Sequence, residues 1–192
     1  ERTLMIGSML GLLRSETARY RHYYEERREE AHQYILTQLT PVIGESLTDI
    51  TDINSKALEC WEKQWLPFIP SERSWSDWNW RDDVAGWKRH IDRFEVAIWS
   101  GRQLCGLALG KPSQARNNLS VYLLQGSPVE NHPLKGKVLA IVIDAAGAYG
   151  TALGCRELRL VKPLSGMVGK YQDLGFRLVK EHRSAPYCVR SL

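Results

Sequence analysis

Cysteine is scarce in this sequence and never grouped. Cys60, Cys105, Cys155 and Cys188 form no CxxC pair and no paired Cys/His spacing, so no metal site is expected. Isolated cysteines in apolar stretches act as small hydrophobes, and a reducing, cytoplasmic setting is expected. Long apolar runs are also lacking. The stretch over residues 4–13 is broken by Gly7, Ser8 and Gly11 and is too short to span a bilayer. A charged segment follows it with no obvious small-residue cleavage site, so a packing or oligomer contact is favoured over a membrane role. The remnant of an anchor is the weaker alternative. The chain opens on Glu1 rather than Met, so sequence upstream is expected. Strong charge asymmetry is absent: 26 Lys and Arg stand against 22 Asp and Glu, a net charge of +4. That balance suits an anionic ligand and lacks the basic stripe of a dedicated nucleic-acid binder. No internal repeat or low-complexity segment occurs.

What is present suffices for one sizeable core, with 43% hydrophobic residues in a chain of 192. Residues 15–39 read as a long helix, begun by Ser15 and Glu16 and followed by Pro41. Tyr20, Tyr24, Ala31, Ile35 and Leu39 recur near a 3.6-residue period and mark its apolar face. Arg14, Arg19, Arg21, Arg27 and Arg28 balance five glutamates on the other face, which reads as solvated and laced with i,i+4 pairs. The expected organisation is a helical extension over residues 1–40 and a main domain over 41–192.

Within that domain, residues 42–50 are expected to hold a first strand. Asp52 or Asn54 then caps a helix reaching about Trp65, stopped by Pro67 and Pro70, and a second short helix covers 80–91. Residues 94–99 and 103–109 read as a hairpin turning at Ser100-Gly101, with a third strand over 119–124. A long helix over 134–153, apolar nearly all round and closed by Gly154, must be buried on most sides. A strand over 157–161, a helix over 164–174 capped by Gly175, and strands over 176–180 and 187–189 complete the order. The class is mixed α/β (α+β) with one central sheet flanked by helices.

Two local passages add to this order. AAGAYGTALGCRELRLV, residues 145–161, carries a long helix through a Leu-Gly-Cys turn into a short strand. VGKYQDLGFRLV, residues 168–179, holds Tyr-x-x-Leu-Gly-Phe. Both, in this order, resemble the acyl-CoA-binding half of the GCN5-related N-acetyltransferases, the GNAT superfamily. The likeness covers residues 94–192 by motif and 42–91 by topology.

The resemblance implies acetyl-CoA as co-substrate. Its pyrophosphate would lie on a Gln/Arg-x-x-Gly-x-Gly/Ala loop at the start of the long helix, held by backbone N–H groups and the helix dipole. The matching residues here are Asn131-His132-Pro133-Leu134-Lys135-Gly136, a degenerate loop that keeps only Gly136. Lys135 and Lys137 add positive charge beside it. The implied cofactor-binding set is Leu124, Gln125, Asn131, Lys135, Gly136, Lys137 and Val138. Tyr171 is the implied acid that returns a proton to the CoA thiolate. Leu164 stands where the family often has Asn, seven residues before that tyrosine. Glu130 and His132 carry groups able to act as a base, but no base is assigned.

Trp61, Trp65, Trp75, Trp78, Trp80 and Trp87 crowd into one stretch. Trp61, Trp65 and Trp87 are expected in the core. Trp75, Trp78 and Trp80, in a polar setting, are the candidates for an acceptor wall. The leading function is therefore direct acetyl transfer from acetyl-CoA to an amine. The acceptor is left open among a small molecule, a protein and an aminoacyl-tRNA, the last being the only nucleic-acid role entertained. The alternative is a non-catalytic module of the same fold acting through partner contacts, with the N-terminal helix a route to a homo-oligomer.

Overall fold

The structure, a computed structural model, describes residues 2–69 and 78–192, and within the first helix the side chains from residue 16 onward. Trp75 and most of the polar tryptophan-rich segment lie outside the described residues, as do the side chains of the apolar run 4–13.

Helix α1 spans Arg2–Ile43, beginning earlier and ending later than the pattern predicts. Pro41 sits in its last turn, where a missing N–H forfeits one bond to Thr37 among carbonyls open to solvent, so the helix continues past it. Gly44 closes the helix with a φ of +88° and an N–H donated to the Thr40 carbonyl. Consequently β1 shrinks to Asp49–Thr51. Asn54 caps α2, Ser55–Cys60, through its side-chain oxygen. A single π-helical turn, Trp61–Trp65, follows and docks on the hairpin, where the Trp65 indole donates to the Leu104 carbonyl at 2.9 Å. Helix α3 covers Trp80–Trp87.

Strands β2 (Phe94–Ser100), β3 (Gln103–Pro112) and β4 (Asn118–Gly126) form an antiparallel meander. The first turn is made by Gly101 and Arg102 rather than Ser100 and Gly101, with Gly101 at a φ of +59°. Helix α4, Val138–Ala152, crosses to β5, Glu157–Val161, which lies parallel to β4. Helix α5 (Val168–Asp173), β6 (Arg177–Val179) and β7 (Tyr187–Ser191) follow. The seven strands are ordered β1-β2-β3-β4-β5-β7-β6, with β4 and β5 the parallel pair.

Period-two alternation sends β2 side chains to opposite faces and creates two cores. Val96 and Ile98 join Ile141, Val142 and Tyr149 of α4 on one face, together with Ala31 and Ile35 of α1. Ala97 and Trp99 join Trp61, Trp65, Trp80 and Val84 on the other. The long apolar helix thus lies between the sheet and α1, as its composition requires. It approaches closely because Gly106 has no side chain: a Cβ there would come within 2.5 Å of Val138 Cγ1.

The α1 pattern needs two corrections. Tyr20 is exposed, so the apolar stripe engages the core only farther along, from the half-buried Tyr24 to Ala31 and Ile35. Arg28, expected on the solvated face, is fully buried. Its guanidinium donates to both Asp52 oxygens at 2.8 and 2.6 Å and to the Arg93 carbonyl at 3.1 Å, and lies 3.5 Å from Glu95. Arg93 donates to the same Glu95 oxygen at 2.7 Å. These partners lie far along the chain and leave no local signal.

His32 is buried beside this network, 3.9 Å from Asp52. Burial, only partly offset by the Asp52 charge and reinforced by the nearby Arg28, lowers its pKa from 6.5 to about 4. The folded protein therefore holds His32 neutral where the unfolded chain protonates it. Its contribution to stability is complete above pH 6.5 and is lost as pH falls through that window towards 4. Glu95, raised by burial, acts in the opposite sense, so comparison with His32→Gln isolates the histidine. Between pH 6.5 and about 4.5 wild type should lose on the order of 2 kcal/mol more unfolding free energy than the variant in urea titrations. Parallel losses in the two proteins would remove His32 from this account.

Candidate active site

Strands β4 and β5 part company midway. Their register runs from Asn118 opposite Glu157 to Val121 opposite Leu160 and then stops. Beyond it Lys162 takes a left-handed φ of +52° and donates its N–H to the Pro186 carbonyl, turning the chain away. On its other edge β4 stays paired with β3 as far as Gly126 opposite Gly106. Residues 122–126 therefore present one edge of backbone N–H and C=O groups with no strand partner, an edge suited to an extended, amide-bearing ligand.

A cleft of about 790 Å³ opens at this parting. One wall carries Trp78, Asp83 and Trp87, the floor is residues 121–128, and the other wall holds Leu160, Met167 and Tyr171. Such a volume is typical of small-molecule sites, and the lining is mostly apolar. Tyr171 is delivered by the short helix α5, closed by Gly175 at a φ of +84°. The ring packs against the core, and burial, with a smaller effect from Cys188, raises the hydroxyl above its usual 10.0, so it stays protonated at neutral pH.

Leu124 and Gln125 line the cleft, as does Trp78. Trp80 does not form an acceptor wall. Its side chain is fully buried in the second core, and its indole donates to the Gln125 amide oxygen at 2.6 Å. Its role in the cleft is indirect, fixing the Gln125 amide. Trp87, expected in the core, is only half-buried and lines the cleft instead, 5.4 Å from the Tyr122 ring. Asp83 and Tyr122 were not singled out by the sequence, although Asp83 and Trp87 stand four residues apart, the spacing of one helix face.

The remaining expected residues lie outside the cleft, at the start of α4. Asn131, Lys135, Gly136 and Lys137 are exposed. Gly136 adopts a φ of +80°, which explains its glycine. Leu134 is buried in the core, and Val138 packs there too, leaving its backbone N–H as its polar contribution. The N–H groups of Lys135 and Lys137 are tied to the His132 and Leu134 carbonyls. The first N–H donated within α4 is that of Ile141, to Lys137, so the N–H groups of Val138, Leu139 and Ala140 are the helix's open donors. An anion can be held there by these donors, the helix dipole and the two lysines. Glu130 is exposed in its loop, while His132 is buried; neither lines the cleft. Among the described residues no three His, Cys, Asp or Glu side chains gather as a metal site, and no helix is long and apolar enough to cross a membrane.

No family model and no curated protein sequence matches the chain. Solved structures do. Ard1 from Thermoplasma volcanium aligns with a TM-score of 0.53 at 14% identity, over 74% of this chain and 96% of its own. The PaiA N-acetyltransferase from Thermoplasma acidophilum, solved in complex with coenzyme A, aligns at 0.51 and 17% identity over 75% and 98%. The GNAT domain of S. lividans PAT aligns at 0.51 and 14% over 74% and 89%. At such identities the likeness is one of fold: this chain has the fold of the GCN5-related N-acetyltransferases.

Proposed function

We propose that the protein is an acetyl-CoA-dependent N-acetyltransferase that moves the acetyl group directly to an amine. The observation that carries this reading is the parting of β4 from β5, which opens an apolar cleft bounded by a free strand edge and by the Tyr171 ring. The edge over residues 122–126 suits the amides of the pantetheine arm. The open N–H groups at the start of α4, with Lys135 and Lys137, suit its phosphates. Two of the structures of similar fold are described as N-acetyltransferase or GNAT domain, and one holds coenzyme A.

In the transfer, a neutral amine nitrogen attacks the thioester carbonyl; a C–N bond forms and the C–S bond breaks. Tyr171 supplies a proton to the departing thiolate and is reprotonated from solvent, which takes up the proton lost by the amine. Gln125, oriented by Trp80, offers its amide N–H to a carbonyl in the cleft. Four free thiols fit a cytoplasmic enzyme.

The non-catalytic alternative draws on Leu134, whose side chain fills the core where the family keeps a glycine, and on the two loop N–H groups already engaged. Incubating the protein with acetyl-CoA and a panel of amines, and following free CoA thiol, separates the two. Amine-dependent thiol release is expected. Binding of acetyl-CoA without release by any amine would favour the module.

A further inference from the structure

The charged residues lining the cleft, among those described, are Asp83 and Lys162. Lys162 follows β5, whereas Asp83 belongs to α3 on the opposite wall. The Asp83 carboxylate makes no hydrogen bond and no ion pair with any described residue. It faces a cleft it shares with Trp78, Trp87 and Tyr122. A partly buried carboxylate without a counter-charge is costly, and burial, with the neighbouring Asp82 adding to it, raises its pKa. The aromatic surfaces beside it favour cations and apolar chains. Trp87 already has one ammonium over its ring, that of Lys111 at 5.9 Å. The Asp83 carboxylate and the ring faces beside it attract positive charge, and Lys111, the cation over Trp87, makes no ion pair with Asp83.

The nitrogen that attacks a thioester must be uncharged. A cation retained by Asp83 through the reaction is therefore a different group on the same molecule. We propose that the acceptor is a small amine bearing a second group that is cationic at neutral pH, held by Asp83 within the Trp78, Trp87 and Tyr122 wall. This rests on the acetyltransferase reading and names its substrate class. Asp83 is a specificity-determining residue in this account, not an acid or base.

The test compares α,ω-diamines of four to six carbons with n-alkylamines and ω-amino acids of matched length, which differ only in the far group. With acetyl-CoA saturating, kcat/KM from thiol release should favour the best diamine about tenfold over its monoamine, and further over the amino acid. Asp83→Asn should shrink the diamine-to-monoamine ratio about tenfold, chiefly through the KM for the diamine. The acetyl-CoA affinity and melting temperature of the variant establish that it is folded and loaded. Equal use of monoamine and diamine, preference for the amino acid, an unchanged ratio in Asp83→Asn, or release with none of the three classes would each overturn the inference while acetyl-CoA still binds. Failure to bind acetyl-CoA would sink the acetyltransferase reading itself, and this inference with it.

Discussion

Tyr171→Phe should lower kcat about 100-fold while leaving the dissociation constant for acetyl-CoA within about twofold of wild type. The substitution keeps the ring that packs against the core and removes only the hydroxyl, which makes no hydrogen bond with any described residue. Loss of the acid leaves the thiolate to depart unprotonated, so the effect falls on the chemical step and not on binding. The pH profile adds a second readout. Burial raises the hydroxyl above 10.0, so in wild type activity should climb with amine deprotonation and not fall again below that pH. Single-turnover stopped-flow measurement resolves the chemical step from product release. A variant with unaltered turnover would take Tyr171 out of the mechanism.

Arg28→Met should destabilise the fold by roughly 3–5 kcal/mol, a large share of the roughly 5–15 kcal/mol that holds a domain together. The methionine fills similar space, but Asp52 loses its bidentate partner and Glu95 keeps only Arg93. Arg28→Lys should recover only part, because a single ammonium cannot span both Asp52 oxygens. Adding Asp52→Asn to Arg28→Met should restore part of the stability, because Asp52 is the carboxylate left without its bidentate partner, whereas Glu95 keeps Arg93. Urea denaturation gives all four values. A loss below about 1 kcal/mol in Arg28→Met would mean that α1 is held by its apolar contacts alone.

The elements that sequence patterns located well are those whose signals are local. The β5 strand, the cap narrowed to Asp52 or Asn54 and found at Asn54, and the glycine stops at Gly154 and Gly175 each depend on neighbours within a few residues. The α4 helix was legible because an apolar surface nearly all round leaves one packing solution. What escaped depends on distance. Arg28 resembles its exposed neighbours until Asp52 and Glu95 are brought beneath it by β1 and β2. Trp80 and Trp87 stand seven residues apart on one helix, yet the first is sealed under β3 and β4 and the second opens to the cleft. Only the tertiary placement of α3 separates them, and it also brings Asp83 into the site. Pro41 misled for another reason: a proline in a last, solvated turn costs little, so it did not end the helix.

The central claim is that the open edge of β4 receives the arm of acetyl-CoA. Amide hydrogen exchange with and without saturating acetyl-CoA addresses it directly, because residues 122–126 have no strand partner on that edge. Exchange over residues 122–126 and 138–140 should slow when acetyl-CoA is added, with little change in β1, β2 or α1. Unchanged exchange in both segments at millimolar acetyl-CoA would contradict the account.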